Sequence, residues 1–107
     1  MTENIQKNEF EGLIKSGKPV LADFYAIWCS PCRMLAPTIE EIHSEYSNCF
    51  ETVKINVDEK LTERYGISGI PALLFFKDGR EVFRMSGVQT KERIISAISE
   101  KMGESLV

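Results

Sequence analysis

A chain of 107 residues, 43% hydrophobic and 27% charged, has the size and composition of one soluble globular domain spanning residues 1–107. A net charge of -3 with no basic run leaves no electrostatic footprint for nucleic acid. No apolar run, Ala72 to Phe76 included, approaches the ~20 residues of a membrane span, and Met1-Thr2-Glu3-Asn4 lacks the basic and apolar regions of a secretory signal, so a cytoplasmic protein is expected.

Asn8 reads as an N-cap, with Glu11 completing a capping box. Phe10, Leu13 and Ile14 follow at helical spacing up to Gly17, and Ile5 before them is expected to begin a short strand. After Pro19, the run Val20 to Ala26 is apolar without alternation, the mark of a strand covered on both faces. Asp23 is the one residue that breaks that pattern.

Two thiols come next, in Trp28-Cys29-Ser30-Pro31-Cys32. Ser30 and Pro31 suit the N-cap and N1 positions of a helix whose apolar stripe is Leu35, Ile39, Ile42 and Tyr46. Pro37 inside this helix is expected to kink it, and Asn48 marks its end.

The alternating Val53, Ile55 and Val57 predict a strand over 50–57. Asp58 caps a short helix that Gly66 stops, and Gly69-Ile70-Pro71 leads into an apolar strand over 72–76. Asp78-Gly79 is a hairpin signal, so a strand over 81–86 returns antiparallel, with Glu81 and Arg84 suited to an exposed edge. Thr90 caps a last helix carrying Ile94, Ile95, Ile98 and Met102, which Gly103 ends.

Strands alternating with helices predict an α/β fold, a central mixed β-sheet flanked by helices on both faces. Sites in such sheets form at the carboxyl ends of strands, and Cys29 and Cys32 follow the strand that ends near Ala26. The chain has three cysteines, an odd number and too few for a disulfide-stapled scaffold, so the close pair points to catalysis or metal binding. A thiolate is the nucleophile of disulfide exchange, and at a helix N-terminus it gains about 0.3–1 kcal/mol from the partial positive charge there. Acidifying a thiol also weakens it as a nucleophile, so orientation and the second cysteine must supply more of the rate.

The motif, together with Asp23-Phe24-Tyr25-Ala26, Ala36-Pro37, Val57-Asp58, Gly66-Ile67, Gly69-Ile70-Pro71 and Gly87, resembles the thioredoxin family over nearly the whole length. That resemblance implies the thioredoxin fold and a protein dithiol–disulfide oxidoreductase, an enzyme of the disulfide-reductase or electron-carrier type that needs no cofactor. Cys29 is then the attacking thiol and Cys32 the resolving one, the two forming the redox-active disulfide. The Asp matching Asp23 handles the Cys32 proton, and burial of such a carboxylate raises its pKa. A salt bridge to Lys54 on the neighbouring strand is the alternative reading of Asp23. Pro71, which sequence alone favours as trans, is implied to be cis and to face the dithiol. Trp28, Gly69, Ile70, Pro71, Gly87 and Val88 are implied to form the substrate-binding surface, where the Ile70 backbone takes up an extended client segment by strand addition. Implied partners are a thioredoxin reductase or an equivalent electron donor and disulfide-containing client proteins, served by a monomer.

Ser30 departs from the family's usual glycine. With Pro31 and Lys54 it is expected to modulate the redox pair, while Pro31, by the resemblance, implies a reductant and not an oxidase. Tyr25, Ile27 and Ala72 also depart from common family residues and bear on partner choice. Arg33 and His43 read as solvated, with assistance of partner docking by its charge as the alternative reading of Arg33, and Cys49 reads as a bystander. Two rival readings are a binding subunit without turnover and a zinc module using Cys29, Cys32, His43 and Cys49. The spacer from Cys32 to His43 is a helix rising about 16 Å, which opposes convergence on one ion.

Overall fold

A computed structural model describes residues 5–106. The elements run α1 (Lys7–Lys15), β1 (Val20–Tyr25), α2 (Ser30–Tyr46), β2 (Glu51–Asn56), α3 (Glu59–Arg64), β3 (Ala72–Lys77), β4 (Arg80–Ser86) and α4 (Lys91–Met102). The four strands form one mixed sheet in the order β2-β1-β3-β4. β1 pairs parallel with β2 and antiparallel with β3, and β3 pairs antiparallel with β4. No helix among the described residues is long and apolar enough to cross a membrane.

The unbroken apolarity of β1 has its cause in this order, because β1 is a central strand with a core on each face. Val20, Ala22 and Phe24 pack with Phe10 of α1, Leu61 of α3 and Phe76. Leu21 faces the other way, into a core built with Leu35, Ile39 and Ile42 of α2 and Ile94, Ile95 and Ile98 of α4. Side chains alternate along a strand, so Asp23 shares the α2 face with Leu21. Its Cα partners are Lys54 on β2 and Leu73 on β3.

Local signals set most boundaries. The Asp58 carboxylate accepts the Leu61 N–H at 2.8 Å and the Thr90 hydroxyl accepts the Arg93 N–H at 3.2 Å, each satisfying a donor that the first helical turn leaves free. Asp78 and Gly79 have φ of 55° and 84°, the paired positive values of a type I′ hairpin turn.

The first helix differs from expectation. α1 begins at Lys7, with Gln6 as its N-cap and no side-chain capping bond. The Gln6 carbonyl already accepts the Phe10 N–H at 2.9 Å, so Asn8 lies inside the helix and the expected capping box does not form. Burial of Phe10 between α1 and the sheet outweighs the local preference of Asn8. Ile5 is not in a strand; it makes one bond, from its N–H to the Lys54 carbonyl at 2.9 Å, while residues 1–4 lie outside the described residues. α2 is one helix from Ser30 to Tyr46, running through Pro37.

Candidate active site

β1 ends at Tyr25, and Ala26 to Cys29 carry the chain from its carboxyl end into α2. Ala26, Cys29 and Cys32 form a small buried cluster against which Tyr25, Val57 and Ile70 pack. All three cysteines are free, and Cys29 and Cys32 are only 5% and 4% exposed.

Cys29, not Ser30, is the N-cap of α2. Its backbone is extended, and its Sγ accepts the Cys32 N–H at 3.3 Å. Ser30 is the first helical residue and Pro31 the second, where its missing N–H leaves no bond unmade. The Ser30 hydroxyl turns outward and accepts from Arg33 Nη2 at 3.1 Å instead of capping the helix. The Cys29 thiol also points across the chain, donating to the Ile70 carbonyl at 3.8 Å. Burial, followed by the hydrogen bond with Cys29 and the charges of Cys29 and Asp23, pushes the Cys32 thiol up to about 11, against a smaller opposing effect from the Ala26 backbone. The pair is thus asymmetric: Cys32 holds its proton, and the Cys29 sulfur receives hydrogen bonds.

Asp23 lies under this pair. It is 1% exposed, its Oδ1 is buried without a hydrogen-bond partner, and desolvation raises its pKa from 3.8 to about 7. Lys54 opposes that rise through its charge. It forms no ion pair with Asp23, because its ammonium lies over the Tyr25 ring, 4.4 Å from the centroid. The salt-bridge reading of Asp23 is therefore corrected to a longer-range attraction. A cleft of about 210 Å³ lined by Tyr25, Ala26, Cys32, Ala36 and Lys54 opens on this side, large enough for water to reach the Cys32 side of the pair.

The Ile70–Pro71 bond is cis, and the Pro71 carbonyl accepts the Gly87 N–H at 2.9 Å, joining the segment before β3 to the one after β4. Gly87 has φ 79°, a conformation glycine adopts without strain. Ile70 thus packs against the Cys29 cluster, and its neighbour Pro71 is tied to Gly87. Trp28 is 75% exposed, and Val88, Ile27 and Met34 are exposed too.

His43 and Cys49 are not brought to the pair. Cys49 packs against the α2/α4 core, and no cluster of three or more His, Cys, Asp or Glu side chains able to hold a metal occurs among the described residues. Arg33 is exposed, as read from sequence, and it donates to the Ile27 carbonyl at 2.8 Å as well as to Ser30. The sequence signal for it was the i,i+3 spacing of Ser30 and Arg33, which places them side by side on a helix.

Two neighbouring thiols at a helix start, the second holding its proton tightly, over a buried titrating carboxylate form an arrangement able to carry out disulfide exchange. The thioredoxin family model matches residues 1–100. The chain belongs to the thioredoxin family. It is 40% identical over 101 residues to a thioredoxin of Alicyclobacillus acidocaldarius, covering 92% of this chain and 96% of that one. It is 44% identical over 103 residues to a thioredoxin of Chlamydia pneumoniae, covering 94% and 98%. Among solved structures, Fasciola hepatica thioredoxin superposes with a TM-score of 0.81 at 32% identity over 94% of this chain and 98% of that one. A mutant thioredoxin from Halobacterium salinarum gives 0.81 at 34% identity over 92% and 88%. The sheet and flanking helices are the thioredoxin fold, and the chain is a thioredoxin-type dithiol–disulfide oxidoreductase.

Proposed function

We propose that this thioredoxin-family chain reduces disulfides of client proteins in two exchanges, and the asymmetry of Cys29 and Cys32 is the observation that carries the reading. Cys29 thiolate attacks one client sulfur; the client S–S bond breaks, a mixed disulfide forms, and the departing client sulfur takes a proton. Cys32 then gives its proton to Asp23 and attacks Cys29 Sγ. The second client sulfur leaves, two electrons have passed to the client, and Cys29–Cys32 is oxidised. An electron donor, a thioredoxin reductase or its equivalent, restores the dithiol.

Asp23 is the group suited to that proton. A carboxyl titrating near 7 both accepts and returns protons at neutral pH, whereas an ordinary carboxylate is too weak a base to take one from a thiol held near 11. Lys54 sets how far Asp23 rises, and Ser30 and Pro31 shape the turn that holds the sulfurs. Clients dock on Trp28, Gly69, Ile70, Pro71, Gly87 and Val88. Ionisation of Cys29 removes the proton it donates to the Ile70 carbonyl, and that carbonyl is then open to an incoming client N–H, as in strand addition. The chain acts as a single-domain monomer, in the cytoplasm, where thiols stay reduced.

The test is trapping with Cys32→Ser. Mixed disulfides should accumulate through Cys29 and be released by a small dithiol reductant. No accumulation, or equal accumulation with Cys29→Ser, refutes the assignment of attacking and resolving thiols.

A further inference from the structure

Arg33 sits in the first turn of α2, where a cation opposes the positive end of the helix. No acidic residue lies in that turn, and Arg33 forms no ion pair among the described residues. Its guanidinium is held by two neutral acceptors, the Ile27 carbonyl at 2.8 Å and the Ser30 hydroxyl at 3.1 Å. Those acceptors flank the motif: Ile27 precedes Trp28-Cys29, and Ser30 follows. The side chain thus straps the loop that places Cys29 to the first turn that contains Cys32. It also leaves an un-neutralised positive charge at the rim of the dithiol.

We infer that Arg33, strapped to Ile27 and Ser30, is a positioning residue of the dithiol centre that favours the dithiol form over the disulfide. The inference rests on the two-exchange reading above. In that exchange the client S–S bond breaks, the Cys29–Cys32 bond forms, and two electrons and two protons leave this chain for the client sulfurs. The strap acts on the reduced side. There the Cys29 sulfur is the cap that receives the Cys32 N–H, and as a thiolate it is a far stronger acceptor than a disulfide sulfur. Ser30 enters as the acceptor that fixes the guanidinium, a part a glycine at that position lacks.

The experiment is equilibration of the whole chain with reduced and oxidised glutathione, reading the dithiol/disulfide ratio for wild type, Arg33→Met, Ser30→Ala and the double variant, with melting temperature measured alongside. Arg33→Met should shift the equilibrium toward the disulfide about two- to fivefold, the range an exposed charge-assisted contact carries. Ser30→Ala should shift it the same way, and the double variant no further than Arg33→Met, because both remove one strap. Additive shifts, or melting temperatures that fall while the glutathione equilibrium stays put, overturn the inference. A wild-type chain with no reversible glutathione-linked oxidation overturns the dithiol reading itself, a separate result.

Discussion

The backbone N–H of Cys32 donates to the Sγ of Cys29 at 3.3 Å, so the first cysteine of the motif caps the helix that carries the second. A serine or aspartate oxygen ordinarily fills that place. Using a sulfur there puts the proposed nucleophile where the helix N–H groups converge and ties its position to the backbone of its partner. Chemistry and helix initiation share one atom.

This dual use separates two substitutions. Cys29→Ala abolishes exchange and, by removing the cap, should lower stability by about 1 kcal/mol. Cys29→Ser abolishes exchange equally but keeps a capping acceptor, so its melting temperature should stay at or above that of wild type. Thermal unfolding of the two variants side by side reads the difference; equal losses would mean that the sulfur does not act as a cap.

Asp23→Asn should stabilise the protein at neutral and alkaline pH. Folding raises the Asp23 pKa from 3.8 to about 7, so the folded chain binds a proton across that window that the unfolded chain has released. Stability therefore falls as pH rises from about 4 to about 7, and above that the full penalty is present. By the size of the shift, the asparagine variant should gain roughly 4 kcal/mol near pH 8 and almost nothing near pH 4. Denaturant titrations at the two pH values check this. In the same variant, resolution of a preformed mixed disulfide should slow and lose its pH dependence near 7.

Lys54→Met removes the charge that holds Asp23 down. The Asp23 midpoint, followed through the pH profile of mixed-disulfide resolution, should move upward. The same change takes away the ammonium over the Tyr25 ring. A profile that does not move would show that Lys54 has no electrostatic part in proton handling.

Trp28→Ala bears on docking. The ring is 75% exposed, so its loss should alter stability by no more than about 0.5 kcal/mol. If the ring anchors clients, KM for a protein disulfide should rise about tenfold, the scale of a truncated interface anchor, with kcat much less affected. An unchanged KM removes Trp28 from the docking surface.

Gly87→Ala isolates a backbone effect. No atom lies within 4 Å of where its Cβ would sit, but φ is +79°. The strain of a left-handed residue, about 1–2 kcal/mol, falls on the residue whose N–H binds the Pro71 carbonyl. Melting temperature should fall accordingly, and KM for a protein disulfide should rise as the segment before β3 loses that tie.

Much of the fold was legible because its signals are local. Asp58, Thr90, Gly103 and Asp78-Gly79 act within one turn of chain, so reading them needed no partner elsewhere. Asn8 misled for the opposite reason: a cap is worth only about 1 kcal/mol, and burial of Phe10 outweighed it. At the site, Asp23 stood out as a charge in an apolar run, and the cysteine spacing marked the redox pair. Ser30 was misread because two acceptors compete for one N–H. In the structure the Cys29 sulfur takes that N–H, and the Ser30 hydroxyl accepts from Arg33, which also donates to the Ile27 carbonyl.

By itself the sequence determined the element order from α1 onward, the close thiol pair and the presence of a carboxylate in the strand before it, since these follow from residue type and spacing along the chain. Tertiary structure decided which cysteine sulfur receives hydrogen bonds, that Lys54 faces Tyr25 instead of pairing with Asp23, and that the Ile70 carbonyl meets the Cys29 thiol. Each of those depends on strand register and on segments far apart in sequence meeting at one end of the sheet, which spacing along the chain does not encode.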